Sequence, residues 1–138
     1  TSAGTLDSTF GTAGKVVTTI GTSNEAAFGA ALQSDGKIVL AGYAFMTNDD
    51  FALVRYNSNG TLDTSFDTDG KVTTTIGTGT DRIHDLLIQP DGKILVGGYM
   101  VGSAFALARH DLPGSTQRRS GSLYIGNLAL NRGSVVLA

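Results

Sequence analysis

Two histidines stand beside carboxylates in this chain: His84 next to Asp85 and near Asp81, and His110 next to Asp111. An imidazole oriented by a carboxylate is the beginning of a general base. Successive residues of a strand point to opposite faces, however, so neither neighbour pair closes easily on a strand, and no serine or cysteine stands in a nucleophile motif. Neither histidine is therefore assigned a catalytic role. Asp67-Thr68-Asp69-Gly70 is a fragment of an oxygen-ligand calcium loop, but calcium takes about six to eight oxygens and this piece supplies too few. A tight turn is expected there. A metal-dependent enzyme would have Asp67, Asp69 and His84 as its first candidate ligands; no metal or cofactor is expected. Asp49-Asp50 beside Asn48 reads as a solvated acidic loop tip. Arg55 and Arg109 occupy equivalent strand ends, which favours a repeated structural salt bridge or carbonyl contact.

The elements that must position these residues come from an internal repeat. Gly60–Tyr99 can be laid over Gly4–Tyr43 without a gap, at a constant offset of 56 residues. A fixed period of this length belongs to stacked or circular architectures. The boundaries are 4–59 for the first unit, 60–113 for the second and 114–138 for a degenerate or partial third, within one repeat domain, 1–138. In each unit a loop carries two apolar anchors, Leu6 and Phe10 or Leu62 and Phe66. A β-branched strand follows, Lys15–Ile20 or Lys71–Ile76, punctuated by glycine. Glu25–Gln33 is alanine-rich, which favours helix, but its copy Arg82–Gln89 alternates with period two, which favours strand. Ser34-Asp35-Gly36-Lys37 and Pro90-Asp91-Gly92-Lys93 are hairpin turns, with glycine supplying the positive φ. The outgoing strands, Lys37–Tyr43 and Lys93–Tyr99, are almost wholly apolar and are expected to be buried on both faces. A loop of differing length leads to the last strand, Phe51–Asn57 or Phe105–Asp111, and is the place where function would diverge.

Four short antiparallel strands per unit are the content of one β-propeller blade. The expected fold is all-β: four-stranded blades, two full units and a partial third, completed by oligomerisation. The first blade takes Glu25–Gln33, Lys37–Tyr43, Phe51–Asn57 and Lys71–Ile76. The second takes Arg82–Gln89, Lys93–Tyr99, Phe105–Asp111 and Ser122–Leu128. In the tail, Thr116–Gly121 replaces the loop due at the start of a third unit, while Ala129–Ala138 resembles Ala31–Ala41 with one turn residue missing. It is either a worn unit or an unrelated segment.

GTLDTSF, GKVTTTIG, LLIQPDGKILVGGY and FALARH together resemble the delta-sixty repeat family, bacterial modules arrayed in tandem, over residues 4 to about 114. The resemblance implies β-propeller blades and a secreted or cell-surface protein. It also marks departures: Asp67 and Asp69 stand where that family usually has glycine, and His110 where it more often has tyrosine.

Composition bounds the partners. A net charge of −2 offers no footprint for nucleic acid or an anionic membrane, and Arg118-Arg119 is too short a basic run to change that. No apolar run approaches the roughly 18 residues of a membrane-spanning helix, and no signal peptide is expected within residues 1–138. The chain has no cysteine, hence no disulfide framework and no thiolate metal site. The expected function is a non-enzymatic scaffold or binding module that forms a homo-oligomeric ring of six blades, three two-bladed chains by first choice, or two chains of about three blades if the tail supplies inner strands at Ala129–Ala138. A glycan-binding or adhesive protein is the alternative, and a protein ligand is also compatible.

Overall fold

A computed structural model describes residues 3–102 and 104–111. Seven strands follow in order: β1 (Glu25–Leu32), β2 (Ile38–Phe45), β3 (Asp49–Tyr56), β4 (Lys71–Thr74), β5 (Asp81–Ile88), β6 (Ile94–Met100) and β7 (Ala104–His110). No helix occurs among the described residues. β1-β2-β3-β4 form one antiparallel sheet and β5-β6-β7 a second. Glu25–Leu32 is a strand despite its alanines, because its ladder to β2 supplies the hydrogen bonds that a helix would otherwise make internally. The two hairpin turns are built alike. Gly36 donates to Gln33 and Gly92 to Gln89, each glycine has a φ near +85° (83° and 86°), and the Asp35 and Asp91 carboxylates accept from the amides of Lys37 and Lys93. This is a type I turn closed by a left-handed glycine.

The core lies between the sheets. Val39, Ala41, Phe51 and Leu53 of the first pack against Ile83, Ile94, Val96, Ala106 and Ala108 of the second, with Phe66 closing one end. Each sheet thus buries one face against its neighbour; on the far face of the first sheet Ala44, Ala52, Val54 and Tyr56 are buried as well, while the far face of the second is exposed at Phe105 and Leu107. Phe51 is fully buried, whereas Phe105, the same residue at the same repeat position, is 76% exposed; Leu53 is fully buried and Leu107 39% exposed. On the far side, Ile94 and Val96 are buried while their counterparts Ile38 and Leu40 are only half-buried. Of the outgoing strands, β2 has buried residues on both faces, Val39 and Ala41 on one and Gly42 and Ala44 on the other, whereas β6 is buried on the face of Ile94 and Val96 and only half-buried on that of Leu95 and Gly97.

The sheets are joined through a repeated device. The Asp81 carboxylate at the start of β5 accepts from the amides of Ile76 and Gly77, both at 2.9 Å. Glu25 at the start of β1 accepts in the same way from Ile20, at 2.8 Å, and Gly21.

Three expectations need correction. Lys15–Ile20 is not a strand: it makes only isolated bridges at Lys15, and Val17 is 94% exposed. Its copy is β4 because β3 lies beside it, whereas Lys15–Ile20 has no strand to pair with among the described residues. Asp49 and Asp50 are not a solvated loop tip but the buried first residues of β3. The hairpin above β2 and β3 is correspondingly shorter than its sequence indicates. Leu6 is exposed, unlike Leu62, so only the second copy of that loop is pinned by both anchors. Ser122–Leu128 and the rest of the tail lie outside the described residues.

Candidate functional site

The inner strands of the two sheets, β1 and β5, each carry a β-bulge at the same repeat position. The pairing of β1 with β2 shifts register between Ala27 and Gly29, and that of β5 with β6 between Ile83 and Asp85. The extra residue is Phe28 in one strand and His84 in the other. A bulge bends its strand and re-aims one side chain. Glycines opposite make room for it: a Cβ at Gly42 would strike the Ala26 carbonyl oxygen, and one at Gly98 that of Arg82.

The two bulged side chains meet across the sheets. Phe28 lies 5.9 Å from Tyr43 and 5.8 Å from His84, and His84 packs edge-on to Tyr99 at 5.3 Å, all between ring centroids. These separations fall in the range of favourable aromatic pairs. The Arg82 guanidinium sits 4.3 Å from the Tyr43 ring centre and donates from Nε, at 2.7 Å, and Nη2 to the Asp49 carboxylate. Phe28 and His84 are exposed, so a row of four rings, anchored by an ion pair, faces solvent across two sheets. Sequence reading missed this row. Its only trace was the phase break in Arg82–Gln89, where polar and apolar residues share both faces of a nominal alternation.

The expected Arg55 role is met by a buried ion pair. Nε of Arg55 donates to Asp63 at 2.8 Å, Nη2 reaches Ser65 Oγ at 3.2 Å, and the guanidinium lies 4.6 Å from the Phe66 ring centre. Burial pushes the Asp63 carboxyl up, but the Ser65 hydroxyl and amide, with Arg55, outweigh it and hold Asp63 below the ordinary aspartate value. Arg109, in contrast, is exposed.

The suspected chemical groups are not assembled. Leu86 N–H donates to Asp85, and Asp111 lies 3.9 Å from Lys93 Nζ, so neither carboxylate holds its neighbouring histidine in these contacts. Asp67-Thr68-Asp69-Gly70 is a tight turn with φ of 47° and 72° at Asp67 and Thr68, and Asp69 accepts from the Lys71 amide at 3.0 Å. Among the described residues no three potential metal ligands converge, so Asp67, Asp69 and His84 are not brought together. His110 stands where the first unit has Tyr56. Burial lowers its pKa below 6.5 against the opposing pull of Asp111 and Asp67, and its Nε2 is buried with no hydrogen-bond partner among the described residues. Asp50 is raised, first by burial and then by the carboxylates of Asp81 and Asp49, against a hydrogen bond from Thr75.

Two successive antiparallel sheets with equivalent inner strands, stacked face to face, are blades of the β-propeller type. In agreement, residues 33–66 and 89–115 match the model of a β-propeller family described as a domain of unknown function (DUF5122). No curated protein and no solved structure matches the chain.

Proposed function

We propose that this chain is a non-enzymatic propeller scaffold whose blades are completed by further copies of itself, in keeping with the tandem delta-sixty arrays it resembles. One observation carries the reading: Phe51 is buried between blades, while Phe105 at the same repeat position is 76% exposed. The face bearing Leu95, Gly97, Phe105 and Leu107 repeats the surface that the first blade buries, and the face bearing Ala27, Ile38 and Leu40 repeats its complement. A head-to-tail contact between copies would reproduce the interblade packing already present, and such contacts close into rings. Three copies make six blades, within the roughly four to eight that propellers use. Phe105→Asp should weaken self-association at least about tenfold, measured by light scattering on a sizing column. Unchanged association would contradict the reading.

A second reading, glycan binding, is favoured by the exposed ring row Tyr43–Phe28–His84–Tyr99. Aromatic faces pack against the apolar faces of pyranose rings, and copies of the row around a ring would add by multivalency. A glycan array should give a signal that the Phe28→Ala, His84→Ala double variant loses. No signal from the unmodified chain would remove this reading.

A further inference from the structure

The loop-and-strand segment Gly60–Thr74 is what the first blade uses to finish itself. It supplies β4, which runs antiparallel to β3 with Phe51 opposite Thr74, Ala52 opposite Thr73, Leu53 opposite Val72 and Val54 opposite Lys71. It also supplies Asp63 for the buried pair with Arg55, and the Phe66 ring under that guanidinium. Its copy, Gly4–Thr18, keeps all but one of these residue types: Asp7 for Asp63, Phe10 for Phe66, Lys15 for Lys71, Val16 for Val72 and Thr18 for Thr74, with Val17 in place of Thr73.

That copy is already folded for the task. The Asp7 carboxylate accepts from the Thr9 amide at 2.9 Å and the Thr9 hydroxyl at 2.6 Å, as Asp63 accepts from Ser65 at 3.1 and 2.7 Å. Phe10 N–H donates to Asp7 and Gly14 N–H to Phe10, just as Phe66 donates to Asp63 and Gly70 to Phe66. Glu25 grips Ile20 and Gly21 as Asp81 grips Ile76 and Gly77. The segment therefore leaves the first blade in the same attitude in which β4 leaves the second, standing where a preceding blade would be. The two loops differ in the turn, left-handed at Ala13 in the first copy and at Thr68 in the second, but share the hydrogen bonds on either side of it, and a segment largely preformed for docking loses less entropy when it docks.

The matching acceptor is the outer edge of β7, with which no described strand pairs. In β3 the Arg55 amide points to this side, donating to the Gly70 carbonyl oxygen at 2.9 Å. Alternation then turns the backbone groups of Phe105, Leu107 and Arg109 to that edge of β7, which is unpaired among the described residues. Arg109 is exposed where Arg55 is 3% exposed, and no ion pair of Asp7 or Arg109 occurs among the described residues.

We propose that residues 4–18 of one copy dock on the second blade of another, with Asp7 pairing with Arg109 and Lys15–Thr18 running antiparallel to Phe105–Ala108 as a fourth strand. In this register Thr18 faces Phe105, Val17 faces Ala106, Val16 faces Leu107 and Lys15 faces Ala108. The inference rests on self-association of the chain and adds the segment and register by which it occurs.

The test exploits the absence of native cysteine. Val17 and Ala106 would form a non-hydrogen-bonded pair, in which the Cα atoms come close enough for a disulfide. Under mild oxidation, the Val17→Cys, Ala106→Cys double variant should form disulfide-linked multimers, and neither single variant should form more than a dimer. Separately, Arg109→Asp should weaken self-association roughly thirtyfold or more, the loss expected on breaking a buried interfacial ion pair. Adding Asp7→Arg to it should restore association. Because both residues are exposed in the isolated chain, circular dichroism should show each variant folded. Association of the unmodified chain, with no linked multimers and no rescue by the charge swap, would overturn strand docking and leave self-association standing. An unmodified chain that stays monomeric would overturn both.

Discussion

At the residue scale the buried Arg55–Asp63 pair is the clearest energetic commitment of the fold. Two charges removed from water hold each other only while both are present, and deleting one strands the other. Arg55→Ala should cost about 3–5 kcal/mol in urea unfolding, while Arg109→Ala, at the exposed equivalent position, should change the stability of the single chain by no more than about 0.5 kcal/mol. The sequence shows that the two arginines are equivalent; only the packing shows that one is buried and the other is not.

His110 gives the fold a pH dependence. Its pKa is depressed from 6.5 when folded, so the unfolded chain binds the proton first, and the stability due to neutral His110 is present above pH 6.5 and is lost as pH falls toward the folded value. His110→Tyr, which restores the residue of the first unit, should remove from this window a slope of up to about 1.4 kcal/mol per pH unit. Thermal unfolding at pH 7.5, 6.0 and 5.0 reads it. Carboxylates held below 3.8, such as Asp63, release their contribution only at more acid pH, so the two effects separate. An unaltered profile in the variant would mean that another group titrates there.

At the scale of elements, the strands were legible because glycine-bounded β-branched runs and Asp-Gly turns recur at a fixed offset. Lys15–Thr18 and Lys71–Thr74 show the limit: the residues are nearly the same, but only the second run is a strand, since a strand exists only beside a partner. The bulges at Phe28 and His84 were not legible either, because a one-residue register slip is decided by the ladder between strands rather than by composition. For the same reason the Asp49–Arg82 pair escaped notice: it joins two blades, and the hairpin carrying Asp49 has no equal-length copy. The bulge depends on glycine opposite it, so Gly98→Ala should destabilise the second blade by about 1–3 kcal/mol, the usual cost of overpacking. Urea midpoints for Gly98→Ala and for Gly97→Ala compare the two directly. A Cβ at Gly97 meets only the end of the Leu107 side chain at ordinary contact distance, and that variant should be close to neutral.

At the scale of the molecule, two blades stacked on one shared core leave two complementary faces, and the fold alone does not say what the assembly does. The repeat explains why those faces match: each is a copy of a surface that the other blade has already buried. An apolar face around Phe105 and a β7 edge unpaired among the described residues both favour pairing with another chain. Sedimentation equilibrium of the chain at micromolar concentration tests the central claim most directly. The account predicts a closed species of three chains, insensitive to further dilution over about a tenfold range; a folded monomer throughout would contradict it.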